Sequence, residues 1–164
     1  MFAVKTSSSQ GTPEFYQSLA GQLAALTQDE PDLIANLANI SAVLFDQLND
    51  LNWLGFYLVK GTQLVLGPFQ GKVACVRIDR GKGVCGTAWD TGLVQRVEDV
   101  HAFPGHIACD SASESEIVLP IRFQDKIVAV LDVDSPRKGR FSEIDQAGFE
   151  AIVRVVEQLD WSAV

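Results

Sequence analysis

Three cysteines are the side chains of this sequence best suited to redox chemistry. Cys75 lies in a strand-like pattern, which is typical of a small buried hydrophobic side chain. Cys85 lies in the run GKGVCG (81–86) at the start of a predicted short helix. The helix terminus and a nearby lysine favour a low thiol pKa there, although packing against the glycine turn explains the residue equally well. Cys109 is the strongest candidate for a reactive thiol, because it lies in a long polar loop where an inert buried thiol is less expected.

Two carboxylates, Asp132 and Asp134, end an apolar strand pattern. Residues two apart in a strand face the same side of the sheet, about 6.6 Å from each other. Glu116 begins the neighbouring predicted strand and is placed to join them across the hairpin. Three interpretations stay open: a site for an ammonium group, a pair whose repulsion keeps one carboxyl protonated near neutral pH, and a strand end in solvent with Asp134 capping a turn before Pro136.

Two aromatic residues, Trp53 and Tyr57, are four apart on the first predicted strand and therefore share a face. Most aromatic pairs of this kind are part of a hydrophobic core. This pair is also suited to wall an apolar pocket that receives a thioether-like methyl group.

Metal and nucleotide sites are weaker interpretations of the same residues. Three cysteines with His101 and His106 could supply four zinc ligands, but the cysteines are ten and twenty-four residues apart and form no Cys-x-x-Cys pair. Either histidine is more simply a hydrogen-bonded loop residue. The run Gly81-Lys82-Gly83 lacks the remainder of a phosphate-binding loop motif. We therefore expect neither a bound metal nor a nucleotide.

Size and charge exclude further classes. The chain has 164 residues and a formal net charge of −8, which argues against a nucleic acid or an anionic membrane surface as partner. The first residues lack the apolar stretch of a signal peptide, and no apolar run approaches the roughly 20 residues that span a bilayer. We therefore expect a cytoplasmic protein with reduced cysteines, in which any disulfide is transient and catalytic.

Periodicity predicts the elements that position these residues. Thr12 and Pro13 predict a helix start, and residues 1–12 are expected to form a flexible N-terminus. The first three predicted helices are 13–26, 31–48 and 85–91. A C-terminal helix is predicted to begin after Ser142 and to run to Leu159, because Ser142 and Asp145 three residues later resemble a capping box. The predicted strands are Trp53–Val59, Gln63–Phe69, Val73–Ile78, Leu93–Val97, Ile117–Phe123 and Ile127–Val133, with an irregular stretch over 98–114. This order predicts one α+β domain over residues 1–164, with helices packed on an antiparallel sheet.

Three segments resemble the free methionine-(R)-sulfoxide reductases, which are GAF-domain enzymes. They are GPFQGKVACVRIDRGKGVCGTAW (67–89), VEDVHAFPGHIACDSASESEIVLPI (97–121) and VAVLDVDSP (128–136). The resemblance extends from about Trp53 to Leu159. It implies a GAF-type single domain, with a six-stranded antiparallel sheet flanked by helices and a substrate enclosed beneath loops.

The resemblance also implies roles for individual residues. Cys109 matches the nucleophile that becomes a sulfenic acid, Cys75 matches the resolving cysteine, and Cys85 matches a third cysteine that can also form a disulfide. The residues implied to bind the substrate are the carboxylates Glu116, Asp132 and Asp134 and the aromatics Trp53 and Tyr57. The implied reaction reduces free methionine sulfoxide without a bound cofactor, and thioredoxin or another dithiol reduces the enzyme again. As in many GAF proteins, pairing of terminal helices could form a homodimer.

A non-enzymatic GAF module that binds a ligand or senses redox state is the competing interpretation. The short length of the chain and the absence of an output domain in it favour the enzyme.

Overall fold

A computed structural model describes residues 2–4, 10–107 and 109–164. Its helices are α1 (Pro13–Thr27), α2 (Leu33–Gln47), α3 (Gly83–Thr91) and α4 (Glu143–Glu157), with a 3-10 turn at Val100–Ala102. Its strands are β1 (Trp53–Lys60), β2 (Gln63–Gly71), β3 (Arg77–Asp79), β4 (Gln95–Val97), β5 (Ser115–Phe123) and β6 (Lys126–Ser135). Part of the N-terminus predicted to be flexible, residues 1 and 5–9, lies outside the described residues. Within the described part, no helix combines the length and apolarity needed to cross a membrane.

Helix starts follow the capping residues. The Thr12 hydroxyl accepts a hydrogen bond from the Phe15 amide and Pro13 occupies the first turn, as predicted. The predicted capping box at the start of α4 is confirmed, with Ser142 and Asp145 satisfying each other's backbone N–H groups. Helix α2 starts two residues later than the prediction of 31, because the carboxylate of Asp32 caps it.

The six strands form one antiparallel sheet in the order β3-β2-β1-β6-β5-β4. The predicted six-stranded antiparallel sheet flanked by helices is confirmed. Strands β1 and β6 occupy its centre, so their side chains are covered on both faces. The two acidic residues of β6, Asp132 and Asp134, thus lie on a central strand and are buried, which fixes the position of the candidate site.

The predicted strand Val73–Ile78 is wrong over most of its length, since only Arg77–Asp79 belongs to the sheet. The backbone before it is held by other partners. The Tyr57 hydroxyl donates to the Cys75 carbonyl at 2.9 Å, and a disulfide joins Cys75 to Cys109. These long-range bonds outweigh the local β-branched pattern. The predicted strand Leu93–Val97 is likewise shorter, with Gln95–Val97 in the sheet.

The two faces of the sheet carry different kinds of residue. One face packs against α1, α2 and α4 in an apolar core, to which β1 contributes Leu54, Phe56 and Leu58. The opposite face is covered by α3 and by the segments 72–76, 98–107 and 109–114. Because side chains alternate along a strand, Trp53 and Tyr57 of β1 face this second side. The site is therefore built on the face away from the main helical layer.

Helices α1 and α4 are joined by a buried polar network around Asp145. Its carboxylate accepts a 2.6 Å hydrogen bond from the Tyr16 hydroxyl and lies 3.3 Å from a guanidinium nitrogen of Arg140. Burial opposes ionisation of Asp145, but hydrogen bonds from Ser142 and Tyr16 and the charge of Arg140 outweigh it and lower its pKa. Gly148 completes the contact, because a Cβ there would lie 2.0 Å from the Tyr16 ring.

We predict that Asp145→Asn lowers the free energy of unfolding at pH 7 by on the order of 3 kcal/mol, because removing one partner of a buried ion pair costs about 3–5 kcal/mol. The folded pKa of Asp145 is depressed, so its contribution is present above the unfolded pKa and is lost as the pH falls through the folded pKa. Urea unfolding at pH 7 and pH 3 measures this. The exposed Asp46→Asn serves as the control, and equal stability of both variants at pH 7 contradicts the prediction.

Candidate active site

A cavity of about 40 Å³ lies between the second face of the sheet and the segments that cover it. Seven of the eight predicted site residues line it: Trp53, Tyr57, Cys85, Cys109, Glu116, Asp132 and Asp134. The eighth, Cys75, is bonded to one of these seven. Residues far apart in the sequence thus meet at one place because β1, β5 and β6 are neighbours in the sheet.

A disulfide joins Cys75 and Cys109 at the cavity, with the sulfurs 2.07 Å apart and the Cα atoms 5.5 Å apart. The interpretation of Cys75 as a buried strand residue is wrong, since it is half-buried and lies outside the strands. Both cysteines belong to irregular segments, which adjust their backbone more easily than a sheet does. The molecule is therefore in an oxidised form, with the bonded cysteines on covering segments and the carboxyls on the sheet.

Three carboxyls are buried together on β5 and β6. Cross-strand register pairs Glu116 with Asp134 and Val118 with Asp132, so the acidic side chains lie on adjacent positions of one face. The interpretation of Asp134 as a strand end in solvent is wrong, because β6 continues through Ser135 and the side chain is buried. Burial raises the pKa of Glu116, and the charges of Asp132 and Asp134 raise it further.

The members of this carboxyl cluster differ in their protonation. Burial also raises the pKa of Asp132 and of Asp134, but hydrogen bonds from Glu116 and Cys85 favour the charged form of Asp132. Glu116 therefore holds the proton of its hydrogen bond with Asp132, as donor to the Asp132 carboxyl oxygen. Among the described residues, the buried Oδ1 atom of Asp132 has no hydrogen-bond partner. The cluster offers a proton donor and an unpaired carboxylate oxygen side by side.

Cys85 is a free thiol in the first turn of α3. Of the two interpretations of Cys85, the low thiol pKa is wrong: burial raises the pKa of Cys85, and the neighbouring charge of Asp132 raises it further. The nearby Lys82 is exposed, so water screens its charge. Cys85 therefore stays protonated and hydrogen-bonded to Asp132 in this form.

An aromatic wall borders the carboxyl cluster. The rings of Trp53 and Tyr57 stack with centroids 5.9 Å apart, and the rings of Trp53 and Phe69 stack with centroids 5.2 Å apart. Gly55 permits this stack, since a Cβ there would lie 2.3 Å from Phe69. The Trp53 indole N–H donates to the Lys72 carbonyl at 3.1 Å, so the wall also holds the backbone of the covering segment.

One group at the site was not predicted from the sequence. The Asn52 side-chain amide donates to Asp110 at 2.9 Å and to Ser113 at 3.0 Å, and the Asn52 backbone N–H donates to the Asp134 carbonyl at 3.0 Å. Asn52 therefore fastens the Cys109 loop to the sheet. The partners of its side chain are 58 and 61 positions away, and a single sequence carries no signal for such contacts.

The histidines belong to different surroundings. His106 lies 3.9 Å from Glu116, and burial lowers its pKa, so it is neutral at pH 7. His101 lies 3.3 Å from Glu114 near the surface.

Within the described residues, two sets of side chains could approach one metal ion. They are Cys85 with Glu116 and Asp132, and Asp99 with His101 and Glu114. Neither is the cysteine-rich zinc site considered from the sequence.

Comparison with known proteins identifies the family. A model of the GAF domain matches residues 27–159. Protein YtsP of Bacillus subtilis (strain 168) is 60% identical over 145 residues, which cover 87% of this chain and 89% of that protein. The free methionine-R-sulfoxide reductase of Escherichia coli (strain K12) is 53% identical over 146 residues, which cover 89% of this chain and 88% of that enzyme. This chain belongs to the free methionine-R-sulfoxide reductase family.

A solved structure extends the likeness to three dimensions. The free methionine-R-sulfoxide reductase of Neisseria meningitidis, solved in complex with its substrate, superposes with a TM-score of 0.91 at 42% identity, covering 96% of this chain and 94% of the other. The overall fold of the reductase family is thus retained over nearly the whole chain.

We predict that Glu116→Gln raises the free energy of unfolding at pH 8 above that of the wild type. A carboxyl with a raised folded pKa contributes stability that is full below its ordinary pKa of about 4.3 and is lost as the pH rises through the folded value. The glutamine side chain is uncharged at every pH and keeps an N–H hydrogen-bond donor, so its contribution does not decline as the pH rises. Urea unfolding of the oxidised protein between pH 5 and pH 8 measures the difference, which should grow with pH. The exposed Glu98→Gln is the matched control, and a difference that is independent of pH argues against the assignment.

Proposed function

We propose that the protein reduces free L-methionine-(R)-sulfoxide to methionine, with Cys109 as nucleophile and Cys75 as resolving thiol. The observation that carries the proposal is the Cys75–Cys109 disulfide beside three buried carboxyls and a stacked aromatic wall. Family membership supports the substrate, its epimer and the use of the free amino acid.

Substrate binding follows from the charges of the cavity. The unpartnered Asp132 carboxylate oxygen suits the ammonium group of a free amino acid, which a methionine within a peptide lacks. Trp53 and Tyr57 offer an apolar surface to the methyl group on sulfur. Glu116, protonated in the cluster, donates a hydrogen bond to the sulfoxide oxygen, and Asp134 completes the acidic site.

The reaction moves two electrons from cysteine sulfur to the sulfoxide sulfur. The Cys109 thiolate attacks the sulfoxide sulfur while Glu116 protonates the oxygen. The oxygen is transferred to Cys109 as a sulfenic acid, and methionine leaves. The Cys75 thiol then attacks the sulfenic sulfur, so that water leaves and the disulfide forms. Thioredoxin or another external dithiol restores both thiols, and the cycle uses no bound cofactor.

The acidity of the site opposes thiolate formation, because nearby negative charge raises the pKa of a thiol. Protonation of Glu116 reduces that charge, and the ammonium group of the bound substrate reduces it further. The thiolate of Cys109 is thus favoured when the substrate is present. When water fills the site instead of substrate, no ammonium group offsets the carboxylate charge, and the pKa of the Cys109 thiol stays higher.

We predict that Cys109→Ser abolishes single-turnover reduction of free methionine-(R)-sulfoxide, whereas Cys75→Ser still forms one methionine per enzyme. In Cys75→Ser the Cys109 sulfenic acid persists and can be trapped with dimedone, because the resolving thiol is missing. The measurement is methionine released from pre-reduced enzyme without added reductant, with the S epimer as control. A Cys109→Ser variant that retains turnover overturns the proposal, as does a wild-type peptide map that shows a Cys85 disulfide instead of Cys75–Cys109.

We predict that Asp132→Asn weakens recognition of the substrate ammonium group. Loss of one partner of a buried charge pair costs about 2 kcal/mol or more, so kcat/KM for the free amino acid should fall at least about 30-fold. N-acetylmethionine sulfoxide lacks the ammonium charge, so its turnover should change far less. The exposed Asp29→Asn is the matched control. An equal loss for both substrates contradicts the role of Asp132 in binding the ammonium group.

A further inference from the structure

Exposed apolar residues lie close in sequence to both cysteines of the disulfide. Among the described residues, Val73 is 87% exposed, Val76 62% and Ile107 39%, and each lies within two positions of Cys75 or Cys109. We call these three residues the apolar rim. Single exposed apolar residues are ordinary, but three of them within two positions of the bonded cysteines concentrate apolar surface at one disulfide. A patch of this kind is typical of a surface that another protein covers.

The charge around the rim differs from that of the rest of the chain. The segment 71–78, which contains Cys75, carries Lys72 and Arg77 and no acidic residue, although the chain as a whole has a net charge of −8. Next to Cys109, Asp110 has a lowered pKa because the backbone N–H of Ala112 and the Asn52 amide donate to it, so it is ionised at neutral pH. The Debye length is about 8 Å at physiological ionic strength, so the nearest charges dominate an approaching ion. The charge of Lys72 also contributes to the lowered pKa of Asp110. The positive charges belong to the chain segment of Cys75 and the negative charge is adjacent to Cys109, so an approaching thiolate meets less repulsion at the sulfur of Cys75.

The cavity inside the protein is unsuited to bring a reducing thiol to the disulfide. The cavity of about 40 Å³ is bordered by three buried carboxyls. A reductant must approach the half-buried disulfide from the solvent side, where the apolar rim lies.

We propose that the apolar rim is the docking surface for a protein dithiol, and that the thiolate of this partner attacks the sulfur of Cys75. This inference rests on the proposed function and adds the place and direction of re-reduction. A bond forms between the partner sulfur and the sulfur of Cys75, the bond to Cys109 breaks, and Cys109 leaves with the electron pair as a thiolate. The second thiol of the partner then attacks the mixed disulfide and releases Cys75. The partner is oxidised by two electrons, and Cys109 is the first thiol to be freed.

The rim also indicates the chemistry of the partner. Its reactive cysteine should lie within an apolar surface without positive charge, so that Val73 and Val76 are covered while Lys72 and Arg77 meet neutral or acidic groups. Three side chains bury little area, which suits a short-lived encounter rather than a stable complex.

The test compares two reductants on matched variants, with thioredoxin as the protein dithiol and dithiothreitol as the small one. V73D/V76D should lower kcat/KM for thioredoxin at least tenfold while turnover with dithiothreitol and KM for methionine sulfoxide stay unchanged. L93D, which alters an equally exposed leucine (64%) elsewhere on the surface, is the control. A double variant that keeps the wild-type kcat/KM for thioredoxin overturns the docking surface. A wild type that forms no methionine even with dithiothreitol overturns the proposed function instead, so the two failures are distinct.

The site of attack is tested by trapping. The oxidised wild-type protein is mixed with a thioredoxin variant that lacks its second active-site cysteine, and the adduct is digested and mapped by mass spectrometry. We expect thioredoxin bonded to the peptide that contains Cys75, with Cys109 free to alkylation. An adduct on Cys109, or no adduct in a sample whose disulfide dithiothreitol reduces, overturns the assignment.

Discussion

The burial of three carboxyls in one face of an antiparallel sheet is the constraint on which the rest of the site depends. Isolated buried carboxylates are strongly disfavoured, so such a cluster exists only with shared protons and hydrogen bonds. The register between β5 and β6 places Glu116 opposite Asp134 and keeps Asp132 on the same face. Because the sheet holds these positions rigidly, the charges cannot separate into solvent. The raised pKa values and the protonated donor follow from that rigidity.

The opposite face of the same strands provides the stability that the acidic face lacks. Ile117, Leu119 and Ile121 of β5 and Ala129, Leu131 and Val133 of β6 alternate with the site residues and pack in the core beneath the helices. Each strand thus carries an apolar side and a functional side in the same short sequence. The ion-paired contact between α1 and α4 adds stability far from the chemistry. The energetic cost of the buried carboxyls is therefore separated from the packing that stabilises the fold.

The parts of the molecule that depend on local periodicity could be predicted from the sequence. The common face of Asp132 and Asp134 follows from the two-residue period of a strand, and the α4 capping box from Ser142 and Asp145. The strand predicted at Val73–Ile78 failed because its β-branched pattern is the same whether the segment pairs in a sheet or is held by a distant disulfide. The interpretation of Cys85 as a thiol with a lowered pKa was wrong for a similar reason, since its burial against Asp132 is a property of the folded chain. The local sequence pattern thus predicts helices and strands, whereas contacts between residues distant in the sequence determine the chemistry of the site.

The division between sheet and covering segments explains how one site can serve two steps that need different geometry. The groups proposed to bind and protonate the substrate belong to β1, β5 and β6, and pairing on both sides fixes their positions; they are Glu116, Asp132, Trp53 and Tyr57. The bonded sulfurs belong to segments outside the sheet, where Asn52 and the backbone bond from the Val100 N–H to the Glu114 carbonyl anchor the ends of the Cys109 loop. In the proposed reaction, the sulfur of Cys109 meets the substrate in one step and Cys75 in the next, which requires a movable backbone, whereas the acid meets one oxygen and requires a fixed backbone. The fold meets both requirements because it places the acids in the centre of the sheet and the thiols above it.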